Sequence, residues 1–232
     1  MKVRWLARWR PGGRLLEVGC GEGHFLAAAA AHGYSVAGIE PNSERARRAS
    51  TRLGIKVDSI RIEEFLVESR AYDVVYHCDL LSHFDDPDLA LRRMAELLRP
   101  KGVLFFEVGL YGSINLFWYR LLPDNSFPRH RWLFQEDGVR KLLDRTGLRI
   151  IRLQRFGLAP HILLYTGMSL LSSWLLQAGR SHNSSGFPDK AVTNKLTGPL
   201  AAWWHNFMRF RVGRVAPYWG PQTLFVLAAP KA

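Results

Sequence analysis

Two cysteines in 232 residues, Cys20 and Cys78, are too few for a disulfide framework, which excludes the small stapled secreted class and fits a reducing compartment. Acids are also scarce, with 20 Asp and Glu against 32 Lys and Arg and a net charge of +12. That imbalance favours anionic partners, either nucleic acid or the headgroups of acidic lipids, and composition does not choose between them. The opening run from Met1 to Arg10 is basic and aromatic but lacks the apolar stretch of a secretory signal, so the expected location is the cytoplasm. From Phe156 to Gly179 it is charge itself that is missing, since no Asp, Glu, Lys or Arg occurs there.

What is present organises itself around Leu15-Leu-Glu-Val-Gly-Cys-Gly-Glu-Gly-His-Phe25, an apolar strand that runs into a glycine turn and then an alanine-rich helix. Gly19, Gly21 and Gly23 allow positive φ and remove Cβ atoms, so a ligand can lie against the backbone beside the unpaired N–H groups of the helix start. The spacing is G-x-G-x-G after an acid, Glu17, and His24 stands where a dinucleotide fingerprint would place its third glycine. A second apolar strand, Ser35 to Glu40, ends in an acid at the tip, where a carboxylate can accept both hydroxyls of a ribose. Pro41 opens the next helix.

This run resembles the first motif of the class I S-adenosylmethionine-dependent methyltransferases. The resemblance implies a doubly wound, seven-stranded, mainly parallel sheet with S-adenosyl-L-methionine as cofactor. Carried over residue by residue, it implies cofactor contacts from Glu17, Gly19, Cys20, Gly21, Gly23, Phe25, Glu40, Pro41, Ile62, Cys78 and Asp79. No metal site is implied. Tyr72 to Pro87 resembles the family's fourth motif and the segment after it, with Asp73, Leu81, His83, Asp86 and Pro87 matching and Ser82 replacing the acid usually found before the histidine. The run Pro128-Arg-His130 followed by Phe134 resembles the subgroup of type 11, 12 or 23 methyltransferase domains, where it stands over the active site. His83 and His130 are therefore the candidate bases on the acceptor side. Relatives commonly carry a helical segment upstream of the first strand, whereas here that strand begins by about residue 14, so the chain is expected to depart from the family at its start.

The remaining elements alternate as a parallel sheet requires: a helix opened by residues 41–44, a short strand at 55–58, a helix over 90–99, a strand over 100–108, a helix over 136–147 and a strand over 149–156. Gln222 to Ala229 is a seventh strand, antiparallel in this fold. The chain thus divides into a methyltransferase core at 1–156, an apolar and basic α-helical insertion at 157–220, and a last core strand at 221–232. The charge-free stretch is long enough to cross a bilayer at about 20 residues per span, but Pro160, His161 and Gln177 interrupt it. Docking on an anionic membrane surface, a peripheral place on the inner membrane, is the expectation for 157–220, and simple extension of the core is the alternative. The functional expectation is a methyltransferase acting on a small or lipid-linked acceptor, at an oxygen. The alternatives are a nucleic-acid methyltransferase, which the absence of an amine-specific N-P-P-Y tetrapeptide after strand four disfavours, and a non-catalytic cofactor- or lipid-binding scaffold.

Overall fold

Runs of Val, Leu, Ile and Phe bounded by Gly, Pro and Asp alternate with amphipathic segments along the chain, and a computed structural model shows each run as a strand of one sheet. The structure describes residues 2–66, 70–110, 130–157 and 222–231. In chain order the elements are α1 (Lys2–Ala7), β1 (Gly13–Val18), α2 (His24–Ala30), β2 (Tyr34–Ile39), α3 (Ser43–Leu53), β3 (Val57–Asp58), β4 (Tyr72–Cys78), α4 (Pro87–Glu96), β5 (Leu98–Gly109), α5 (Glu136–Arg145), β6 (Leu148–Gly157) and β7 (Gln222–Pro230).

The seven strands lie in the order β3-β2-β1-β4-β5-β7-β6, and β1 pairs in parallel with both β2 and β4. Strand order reverses beside β1, which opens a crevice at the carboxyl ends of β1, β2 and β4. The Lys231 N–H donates to the Gly147 carbonyl at 2.8 Å. The end of β7 therefore meets the start of β6, as the expected antiparallel last strand requires.

The sheet is buried on both faces because successive strand residues face opposite sides and the central strands are near-continuous apolar runs. On one face Leu16, Val75, Leu104 and Phe106 pack with Leu91 and Met94 of α4 and Leu142 and Leu143 of α5. On the other, Trp5 of α1 stacks on Phe105 at 5.0 Å and meets Phe225 edge-on, while its indole N–H donates to Gln154 at 3.0 Å. Burying that one side chain contributes on the order of 3 kcal/mol. The expected departure at the chain's start is thus corrected: a short helix does precede β1, fixed by the burial of Val3, Trp5 and Leu6.

Helix α4 also begins and ends earlier than the expected 90–99. Asp86 accepts the Leu89 N–H at 3.0 Å as an N-cap and Pro87 occupies the first turn, so the cap overrides the apolar spacing that begins at Ala90. Leu98 and Arg99 belong to β5 instead.

By its contacts the chain falls into two units, Met1–Gly112 with Phe127–Gln154 and Leu224–Ala232 as the first, Ser113–Ser126 with Arg155–Thr223 as the second. All but the first residue of the expected insertion 157–220 lies outside the described residues. Among the described residues no helix is long and apolar enough to cross a membrane.

Candidate functional site

Register places the candidate residues in one row. Val18 is the partner of Ile39 on one side and of His77 on the other, so Gly19, Glu40 and Cys78 leave the sheet at the same level. The Gly19 and Cys20 N–H groups both donate to the Ile39 carbonyl, at 2.8 and 3.1 Å, which folds the glycine turn over the tip of β2. Gly19 and Gly21 both have positive φ, +67° and +56°. They serve different ends. A Cβ on Gly19 would run into Leu80, on the loop after β4, whereas a Cβ on Gly21 would meet nothing within 4 Å. Gly19 lets two loops close together, and Gly21 leaves an open backbone face.

Glu40 is 7% exposed, and each of its oxygens holds one backbone N–H: Gly21 at 2.9 Å and Asn42 at 3.0 Å. A carboxylate oxygen has two lone pairs, so each can accept a further hydroxyl while it shapes the turn. Glu17, buried at 4% exposure, has an oxygen with no hydrogen-bond partner. Burial pushes its carboxyl well above the usual range, and the charges of Glu107 and Glu40 add to that. Lys2 and the Leu26 N–H in the first turn of α2 oppose it. An orphaned carboxylate oxygen, an open glycine face and an acceptor pair at a strand tip suit a ligand that carries both a cation and a diol.

The other candidates fall around this row with different parts to play. Cys20 is buried and burial pushes its thiol up to about 12, so it packs as a thiol and is no nucleophile. Phe25 stacks on Tyr76 at 3.8 Å, and Pro41 is exposed, its carbonyl accepting from Ser59. The Ile62 side chain is buried in the core. Asp79, with φ +55°, turns the chain out of β4 and accepts the Gly109 N–H at 3.2 Å.

Farther along the same loop the structure brings the two histidines together, with ring centroids 4.7 Å apart. His130 Nδ1 lies 2.8 Å from Ser82 Oγ, and the Ser82 carbonyl accepts the Arg131 N–H at 2.8 Å, so the segment after residue 129 is tied to the loop after β4. Sequence reasoning noted Ser82 only as a departure from the family. Its role as the partner of His130 depends on a contact across 48 positions, which no local pattern announces.

A second group was also missed. The Lys2 ammonium lies 2.7 Å from Glu107, which accepts the Tyr76 hydroxyl at 2.7 Å, beside Cys78 at 3.4 Å from the same lysine. The available signal was a lone acid within the apolar run from Val103 to Val108.

Comparison with known proteins agrees with this geometry. The chain is 35% identical over 116 residues to the ubiquinone biosynthesis O-methyltransferase of Bordetella avium, covering 46% of this chain and 48% of the relative. Against the enzyme of the same name from Rhizobium etli, identity is 32% over 159 residues, covering 62% and 63%. The chain thus spans about half to two thirds of the length of these curated relatives. Phosphoethanolamine N-methyltransferase 2 of Haemonchus contortus, solved in complex with S-adenosyl-L-methionine, shares the fold at a TM-score of 0.61 and 17% identity, covering 98% of this chain and 51% of that one. A family model of the methyltransferase domain matches residues 3–153, and with it the chain belongs to the class I S-adenosylmethionine-dependent methyltransferases.

Proposed function

We propose that the protein binds S-adenosyl-L-methionine in the glycine cradle and methylates a hydroxyl of a small or lipid-linked acceptor. The observation that carries this reading is Glu40, which braces the cradle through Gly21 and Asn42 and keeps acceptor capacity for a ribose. Glu40 suits the ribose of an adenosyl cofactor, and His24 in place of a third glycine disfavours a dinucleotide at this edge. The likeness to ubiquinone biosynthesis O-methyltransferases supports an oxygen acceptor and a lipid-linked one.

When bound, the cofactor supplies a methyl group already activated on a sulfonium and leaves as a neutral thioether. The chain's own task is then alignment and proton removal. As the acceptor oxygen gains the methyl group it must lose its proton, and we assign that proton to His130. Ser82 orients the ring through its contact with Nδ1. His83, stacked on His130, sets the plane of that ring on the acceptor side.

The stretch 157–220 is the part we assign to an anionic membrane surface. Trp203, Trp204 and Phe207 would supply apolar area, and Arg209, Arg211 and Arg214 about 1 kcal/mol each near an acidic leaflet. Calorimetry with S-adenosyl-L-methionine, followed by transfer of labelled methyl to extracted lipids and hydroxylated aromatics, tests the whole reading. A preference for NAD, or no labelled product from any extract, would overturn it.

A further inference from the structure

At the opposite, amino-terminal edge of the sheet lies a cleft of about 900 Å³ where the starts of β5 and β6 meet the end of β7. Six cations line it, namely Arg70, Arg92, Arg99, Lys101, Arg149 and Lys231, against one carboxylate, Glu96. The neighbouring acids neutralise only half of them. Glu96 is paired with Arg93 at 3.0 Å, Asp73 is shared between Arg99 and Arg10, and Asp88 is shared between Arg92 and Arg145. Lys231 is paired with Asp144. Among the described residues Arg70, Lys101 and Arg149 have no carboxylate partner at all.

Helix dipoles account for part of this charge, since cations near a helix C-terminus are favoured and Arg92 lies in the second half of α4. They do not account for the three unpaired cations, of which Arg70 stands on a turn and Lys101 and Arg149 near the starts of β5 and β6. Two of these hold a backbone conformation that glycine adopts more cheaply, with φ +61° at Arg70 and +67° at Lys101. Of three such non-glycine residues among those described, two line this cleft and the third is Asp79 at the other edge.

We propose that this basic cleft binds a phosphate-bearing ligand, a phosphate or diphosphate group of a soluble molecule or of a lipid headgroup, at a site separate from the glycine cradle. A concave volume of this size suits a small ligand. Guanidinium forks match phosphate oxygens in pairs, and Arg70, Lys101 and Arg149 have no carboxylate competing for them among the described residues.

Calorimetric titration of the full chain with inorganic pyrophosphate at low salt tests the site. The comparison is a variant with Arg70→Ser, Lys101→Gly and Arg149→Ser, and a single Arg149→Gln variant guards against misfolding in the triple. We expect saturable one-to-one binding, at least tenfold weaker in the triple variant and measurably weaker in the single one, with cofactor affinity unchanged in both. Phosphatidylcholine vesicles with and without phosphatidic acid then compete with the pyrophosphate. Displacement by the acidic vesicles assigns the site to a headgroup, and its absence assigns it to a soluble phosphate. No saturable binding overturns the proposal. So does binding that weakens with salt along the same slope in wild type and variants, because the attraction is then diffuse.

Discussion

The two edges of one sheet carry opposite charge. At the carboxyl ends of the strands stand Glu17, Glu40, Asp79 and Glu107, with Lys2 paired to Glu107, and at the amino ends stand Arg70, Arg92, Arg99, Lys101 and Arg149. The polarity follows the fold. A doubly wound sheet points helix N-termini at its carboxyl edge, and the first turns of α3, α4 and α5 hold Glu44, Asp88, Glu136 and Asp137 while their last turns hold Arg52, Arg93 and Arg145. A net charge of +12 is therefore a poor guide to this chain's partners, because the cradle proposed for the cofactor lies among acids.

Chemistry at the acidic edge should be the most sensitive part of the molecule. His130→Ala should lower the turnover rate by about 100-fold or more, the range of a general base, with cofactor affinity retained. Ser82→Ala should cost roughly tenfold and shift the pH profile of the rate, since it removes the group that fixes Nδ1. Full rate in both variants with the true acceptor would make the histidine pair a packing feature.

Next in size is the loss of Glu40. Glu40→Ala removes two bonds from its carboxylate to the turn and the proposed ribose acceptor, and about 2–3 kcal/mol, or roughly 30- to 150-fold in the dissociation constant, is expected by calorimetry. Arg149→Gln at the other edge should leave cofactor binding unchanged. Equal losses from both substitutions would erase the distinction between the edges.

Much of this was legible in the sequence, where the pattern is local. Apolar runs of strand length ending in Gly, Glu or Asp anticipated six strands closely, and the spacing of Gly19, Gly21 and Glu40 anticipated a glycine turn at the tip of β2. Helix α4 was displaced because the Asp86-Pro87 cap outweighs apolar periodicity. Helix α1 was missed because six residues have no stable helix of their own and exist only through Trp5 on the sheet. Ser82 with His130, Tyr76 with Glu107, and the basic cleft share a further reason, since each joins residues far apart in sequence at one place in the fold.

A titration inside the sheet separates the faces as the charges separate the edges. His77, adjacent to the acidic row, is fully buried with neither ring nitrogen partnered, stacked on Phe106 at 4.8 Å, and burial lowers its pKa to about 3. The unfolded chain protonates this histidine near 6.5 and the folded one does not until about 3. Its stability is therefore complete above pH 6.5 and declines as pH falls through that window, by roughly 2 kcal/mol at pH 5. His77→Phe should flatten the acid limb between pH 7 and 5 in urea melts. An unchanged limb would assign the acid sensitivity to the carboxylates instead.

The smallest expected effect lies in two backbone positions, one at each edge. Asp79 and Lys101 both have left-handed φ, at +55° and +67°. Asp79 is held there by the bond from the Gly109 N–H to its Oδ1, and losing a bond to a carboxylate outweighs the small left-handed penalty of an aspartate, so Asp79→Gly should destabilise the protein by about 1 kcal/mol. Lys101 has no comparable bond from its side chain among the described residues. Lys101→Gly removes a left-handed penalty of about 1–2 kcal/mol and adds about 0.5–1 kcal/mol of unfolded-state entropy, which leaves a net gain below about 1.5 kcal/mol. In a chain of this size that is a rise of a few degrees in melting temperature at most, roughly 2–4 °C per kcal/mol. The two glycine variants should thus move the melting temperature in opposite directions. Stabilisation by both would show that the Asp79 bond contributes little, and destabilisation by both would show that the Lys101 side chain is held by a contact of its own.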